Sequence, residues 1–398
     1  MSDIFIVRQP VFDRSDTAVG YELRFREPSD GSDAFARSYL SGAFDELRSG
    51  LPAYVRCTPR HLAERIFESA DPRSLIVLLP PELEPDTTTI EAVQALQAAG
   101  IIVAVDEYDE GTHVPAGVAA LSELAPAARI DLRAHDSAWV SELARRLRAR
   151  GKRLIADHVL DAQSHKLCLD AEFERFQGPY FSRPEPIPTA ELPSSTATAL
   201  RVLALARDVD TPERELERAL SVDPGLTFQL LRLVNNASTG MRGVESISHA
   251  LRLVGRNAFV RWLALAFATT QRGNTGADAA LVQQAVQRAR LCELVGRTAG
   301  HRDAGSLFLM GLFSMLDAVF RMPLHEILDR VRLSPEVHAA LLDRAGPFAG
   351  VLELVESYEL GLWEGAAENA ARLGVRYEVI PEMYSESLAW AEQQALTA

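Results

Sequence analysis

TIEAVQALQAAGIIVAVDEY, residues 89–108, holds two periodicities joined by one glycine. As far as Leu96, apolar residues recur three or four positions apart, the spacing of a helix with one buried face. Gly100 follows as a helix stop. The apolar run Ile101–Val105 then reads as a strand, and it ends in two acids, Asp106 and Glu107. The same alternation extends in both directions. Runs of strand type begin at Ile4, Ala18, Ala53, Ser74, Ile101, Ala127, Arg153 and Arg175, and a second helix-like stretch, DSAWVSELARRLRARG, again ends in glycine. Alternating β and α units imply a parallel sheet. Eight such runs without a glycine-rich dinucleotide fingerprint fit a closed (β/α) barrel of TIM type better than a doubly wound sheet. In such a barrel, function sits at the carboxyl ends of the strands, which directs attention to the acids found there.

The chain has 398 residues, 47% of them hydrophobic, enough for two cores of ordinary size. Its 55 acids against 41 bases give a formal charge of −14, which disfavours direct nucleic-acid binding by counterion release. No apolar run is long enough to span a bilayer. The N-terminus MSDIFIVRQP lacks the basic region of a secretory signal. Cys57, Cys168 and Cys292 are few, odd in number and far apart, as expected of a reducing cytoplasm, and no Cys/His spacing suits zinc.

Residues 184–193, PEPIPTAELP, hold four prolines in ten positions, and the sequence changes character there. Proline blocks helix continuation and stiffens the chain, so the expected division is a barrel over 1–185 and a second domain over 190–398. The second half reads as almost entirely helical. TFQLLRLVNNAS, SISHALRLVG, AALVQQAVQRARLCELVGRTAG, SPEVHAALLDRAG and VLELVESYELG all carry apolar residues at helical spacing, with Ser246 and Ser334 as N-caps.

GYELRFR (20–26) resembles the signature strand of the EAL domain, the cyclic di-GMP phosphodiesterase barrel. DEYDEG (106–111) resembles its paired-acid motif and RFQGPYFSRP (175–184) its final-strand motif. The likeness covers residues 3–185. It implies metal ligands on several strand ends, and a catalytic lysine in a Lys-x-Asp motif. Glu22 fits the first ligand position. Arg56 falls where an asparagine is expected, and Leu79 where the third strand should carry a glutamate, with Glu82 in the same loop. Asp106 and Glu107 keep the acid pair. Arg129 replaces the lysine while Asp131 remains. Asp157 and Leu160 stand where two glutamates are expected. Arg26 matches a position that contacts nucleotide phosphates; the other reading pairs it with Glu22 or another acid. Gln177 and Gly178 either contact nucleotide or shape a turn.

Two-metal hydrolysis needs several oxygen ligands around cations about 3.5–4 Å apart. Two ligand positions are lost here. Arg56 would bring a fixed positive charge near the cation, and Arg129 cannot shuttle a proton, because a guanidinium does not deprotonate.

In the second half, SVDPGLTFQLLRLVNNAS and VESISHALRLVG resemble the HDOD domain, an output module related to HD phosphohydrolases, and FLMGLFSMLDAVF (308–320) matches its form in EAL–HDOD fusions. That resemblance places the expected His-Asp metal pair at Ser314 and Met315, neither of which can replace an imidazole and a carboxylate. The only His-Asp dipeptide, His135-Asp136, lies in the barrel half, where Asp136 reads as a helix cap. His249, His325 and His338 read as surface or core histidines. Asn235 and Asn236 read as a helix end or a partner contact, and Tyr358 with Trp363 as core.

The sequence therefore favours a non-enzymatic signalling protein. Its degenerate barrel senses a nucleotide or a partner, and its helical half delivers output through contacts with other signalling proteins. No resident cofactor is expected. The second reading is an unconventional cyclic di-GMP phosphodiesterase using Glu22, Asp106, Glu107, Asp131 and Asp157 around Mg²⁺ or Mn²⁺. The third is a structural hub without a small ligand. The resemblance leaves a homodimer open.

Overall fold

Eight strands close into one barrel in sequence order, in the computed structural model of the chain. The described residues are 5–26, 33–108, 116–181, 201–203, 205–206, 211–222, 255–256, 258–261, 263, 276–320, 322–329 and 333–397. The strands are β1 (Phe5–Phe12), β2 (Ala18–Arg26), β3 (Ala53–Arg56), β4 (Leu75–Leu79), β5 (Ile102–Val105), β6 (Ala127–Asp131), β7 (Arg153–Asp157) and β8 (Arg175–Phe176). All eight expected runs are strands.

The expectation of a wholly parallel sheet needs one correction. From β2 to β8 each neighbouring pair is parallel, but β1 runs antiparallel to both β2 and β8. The reason lies in the connection. Only residues 13–17 join β1 to β2, and a parallel crossover needs a dozen residues or more. Asp13 closes this hairpin by accepting from the backbone of Ser15 and Thr17.

The seam where the barrel closes is slight. Strand β8 has two residues, and its register with β1 is the single pair Phe12↔Phe176. Stacking of Phe12 on Phe181, with ring centroids 4.3 Å apart, reinforces it.

The helices that cover the barrel begin and end on local chemistry. The helix Thr87–Ala98 is capped by Asp86, the helix Ser137–Ala149 by Asp136 and the helix Ala162–Asp170 by Asp161, each side chain accepting from a first-turn amide. Gly100 and Gly151 follow the first two in the left-handed region, where a residue without Cβ is least strained.

Inside the barrel, Val11, Tyr54, Leu78, Ala104, Ala127 and Ile155 form an apolar layer drawn from six strands. Side chains alternate in and out along each strand. The next inward residues toward the carboxyl ends are therefore Arg56, Asp106, Arg129 and Asp157, so a charged layer lies on this apolar floor.

The chain divides into two compact units, one centred on Asp3–Glu185 and the other on Pro186–Asn274 with Asp278–Ala398. Every regular element described in the second is helical. Its helices Gly276–Thr298 and Ala304–Phe313 approach closely through glycines: a Cβ on Gly311 would lie 2.7 Å from the Arg288 carbonyl, and one on Gly296 2.2 Å from Leu307. Phe308, Phe313, Leu352 and Tyr358 are fully buried there. Ser334 caps its helix as expected, and Trp363 meets Tyr358 edge-on at 5.5 Å. The proline-rich stretch, Ser246, His249, Asn235 and Asn236 lie outside the described residues.

Candidate functional site

Four strands deliver the charged layer. Glu22 lies within β2, Asp106 follows β5, Arg129 is the third residue of β6 and Asp157 is the last of β7. The Asp106 amide still donates to the Leu79 carbonyl, and the Gln177 amide to that of Ala156, so backbone pairing extends past the strand ends and fixes both side chains. All four charged groups are at most 4% exposed.

Arg129 occupies the centre. Its Nη1 donates to Glu22 Oε1 at 2.9 Å, its Nε lies 3.1 Å from Asp157 Oδ2 and 3.4 Å from Asp106 Oδ1, and its Nη2 bonds Asp157 as well. Glu22 also accepts from Arg24, at 3.1 Å, and from Gln177 Nε2, at 2.6 Å. Gln177 reaches Gln9 Oε1 at 3.1 Å with the same amide. Arg56 stands above this, half exposed. It donates to Glu107 at 2.6 Å and Glu82 at 3.0 Å, and it lies 3.5 Å from Asp106. His158, with φ of 56°, places Nδ1 3.3 Å from Asp131 and 3.2 Å from Asp157.

Burial opposes charge on each acid, and the arginines decide which stay ionised. For Glu22, burial is outweighed by Arg129 and Arg24, so its pKa falls below the ordinary value. Asp157 is likewise buried, but Arg129 and His158 hold it well below the carboxylate range. For Asp106 burial wins: its pKa rises to about 6, against the pull of Arg129 and with Glu22 adding repulsion. Arg129 itself is pushed further up by the three acids, despite its burial.

Other expected site residues fall differently. Leu79 lies on the opposite face of β4 from the inward Leu78, so it faces away from the charged layer; neither residue offers an oxygen. Asp131 turns to Arg133, accepting from its amide at 2.9 Å and pairing with its guanidinium at 2.7 Å. Leu160 is 51% exposed. The Arg26 guanidinium lies 5.2 Å from the Phe5 ring centre. Arg24, not Arg26, pairs with Glu22, because residues two apart share a strand face and Arg24 is nearer. Gly178 shapes the turn after β8, at φ 150° and against the Val159 backbone. Arg24 and His158 escaped the sequence reading. Period-two spacing from Glu22 would have found Arg24, whereas His158 had no signal.

The acids do not fit a pair of divalent cations. Glu22, Asp106 and Asp157 already face Arg129, with Arg24 on Glu22 and Arg56 beside Asp106, so three buried carboxylates meet three arginines. The carboxylate oxygens that a metal would need already face guanidinium nitrogens. Among the described residues, no group of three or more His, Cys, Asp or Glu is arranged to hold one.

In the helical unit, Ser314 and Met315 occupy the turn between helices Ala304–Phe313 and Leu316–Phe320. Arg288 donates to Ser314 Oγ at 3.2 Å and to Glu359 at 2.6 Å. His325 and His338 are exposed. Asp136 caps its helix through the Trp139 amide at 2.8 Å, and His135 stacks on Trp139. No described helix is long and apolar enough to cross a membrane.

Residues 192–326 match the family model of the HDOD domain. Two relatives align nearly end to end. "Uncharacterized protein YuxH" of Bacillus subtilis is 26% identical, over 97% of this chain and 98% of its own length. "Cyclic di-GMP phosphodiesterase CdgJ" of Vibrio cholerae is 27% identical, over 98% and 93%. A solved EAL domain protein from Listeria monocytogenes covers 46% of this chain and 88% of its own, at 16% identity and a TM-score of 0.35. The HDOD match and the end-to-end relatives, together with the closed barrel, bear out the resemblance to an EAL–HDOD fusion.

Proposed function

We propose that this chain is a non-hydrolytic component of cyclic di-GMP signalling. The barrel senses the nucleotide or a protein partner without cleaving it. The helical half passes the state on through protein contacts. One observation carries the reading: the Arg129 guanidinium is buried among Glu22, Asp106 and Asp157, where hydrolysis would require metal-bound water. The proposal includes no resident cofactor, no nucleic-acid or membrane contact, a cytoplasmic setting and a boundary between the halves within 185–190. A homodimer is compatible with it.

The rival reading is a cyclic di-GMP phosphodiesterase holding Mg²⁺ or Mn²⁺. It is favoured by the name of the Vibrio cholerae relative and by the survival of Glu22, Asp106, Glu107, Asp131 and Asp157. Incubating the purified full chain with cyclic di-GMP and either metal separates the two. The proposal expects no turnover, and turnover that vanishes in Glu22→Ala would overturn it. Calorimetric titration with the nucleotide then distinguishes a nucleotide sensor, which binds at micromolar concentration, from a barrel that serves partners alone.

A further inference from the structure

The chemistry of the three acids reaches beyond the question of turnover, although the inference rests on the same non-hydrolytic site. Three carboxylates, from within β2, just past β5 and at the end of β7, surround one guanidinium: Glu22 accepts from Nη1, Asp157 accepts from Nε and Nη2, and Asp106 lies 3.4 Å from Nε. The group is planar with all its donors in one fork, so donors and acceptors match in shape as well as charge. Its side chain is 5% exposed, and those of the acids 3–6%. A buried carboxylate without a counterion is costly, so the acids need a cation to remain charged.

We infer that the barrel carries its cation covalently: the Arg129 guanidinium is the permanent occupant of a small-cation site built by Glu22, Asp106 and Asp157, which accepts a cation from solution only when that side chain is removed. The site is selective for a planar guanidinium over a spherical ion of equal charge, because carboxylate oxygens face all three of its nitrogens from different strands. Arg24 and Arg56 cannot take over the role. Arg24 is held at Glu22 on the β2 side, and Arg56 is tied to Glu82 and Glu107 at the rim.

The test uses the full chain carrying Arg129→Ala. Thermal midpoints are measured with low-millimolar guanidinium chloride, with sodium chloride at equal ionic strength, and with MnCl₂. Manganese uptake is followed separately by electron paramagnetic resonance. The variant should melt below the wild type, recover part of the loss with guanidinium and none with sodium, and the wild type should respond to none of these additions. Recovery with Mn²⁺ in the variant alone also supports a cation site vacated by the arginine. Stoichiometric Mn²⁺ binding by the wild type would overturn the inference, as would a variant indifferent to every cation. If Arg129→Ala does not fold, Arg129→Lys keeps one charge but loses the fork; it should be less stable than the wild type and, with a cation still in place, take up no Mn²⁺, and a lysine variant as stable as the wild type refutes the shape match. Turnover of cyclic di-GMP enters none of these readouts, so this inference and the non-hydrolytic reading fail on separate results.

Discussion

Replacing Asp106 by asparagine should stabilise the barrel near neutral pH, and the gain should fade in acid. Asp106 is 2% exposed and its pKa stands at about 6, against an ordinary 3.8. The folded barrel therefore holds this proton across a range in which the unfolded chain has released it. Stability from this group is fully present below the unfolded value and is lost as pH rises through 6. The difference of about two pKa units corresponds to about 3 kcal/mol near pH 7, shrinking to under about 1 kcal/mol near pH 4. Asparagine removes that ionisation while its carbonyl keeps the bond from the Glu107 amide, now 3.0 Å long. Its NH₂ then faces Arg56, whose half-exposed guanidinium is already anchored to Glu107 and Glu82. Glu22 and Asp157 do not blur the result. Their pKa values are lowered, so their contribution is present above the ordinary carboxylate values and is lost only in stronger acid. The measurement is a urea series from about pH 4 to about pH 8, with hydrogen exchange on β5 and β6 peptides reporting the barrel. A variant less stable than the wild type near neutrality would refute the reasoning, as would a stability difference that does not change with pH.

Three further expectations follow from the structure. Gly178→Ala should cost about 3 kcal/mol or more, because its Cβ would lie 2.3 Å from the Val159 nitrogen at a φ of 150°; a urea midpoint within error of wild type contradicts this. Arg288→Met strands Glu359, whose side chain is 8% exposed. That should cost the helical half about 3–5 kcal/mol, read from its denaturation midpoint, and an unchanged midpoint would count against it. Burial pushes Cys57 and Cys168 up to about 12 and raises Cys292 further. Thiol reagents should therefore label the native protein slowly at neutral pH and the unfolded chain quickly; a fast native thiol would show that one of these sites opens.

The strands were legible because each is a short apolar run bounded by turn residues, a pattern local to the chain. Strand direction was not, since periodicity is the same read either way; only the five residues between Phe12 and Ala18 reveal that β1 must turn back. At the site, the resemblance implied that Arg56 and Arg129 stand at positions where the family carries an asparagine and a lysine. It did not show that Arg129 meets acids from β2, β5 and β7 at once. That convergence depends on the curvature and stagger of the closed sheet, which no short motif encodes. Leu79 shows how narrow such a reading is: a one-residue shift in a strand moves a side chain to the other face. Asp131, one of the acids that the phosphodiesterase reading would place around a cation, is captured locally by a basic residue two positions on.

The two-residue strand at the end of the barrel makes its closure a clasp rather than a zip. Eight register pairs join β1 to β2, but one joins β1 to β8, so thermal breathing should begin on that side, where the fewest backbone bonds must part. The next residue along is Gln177, one of the donors to Glu22. When the clasp loosens, Glu22 loses a donor, so a slackening of the wall is felt as an electrical change at the heart of the barrel, just before the chain departs for its second half.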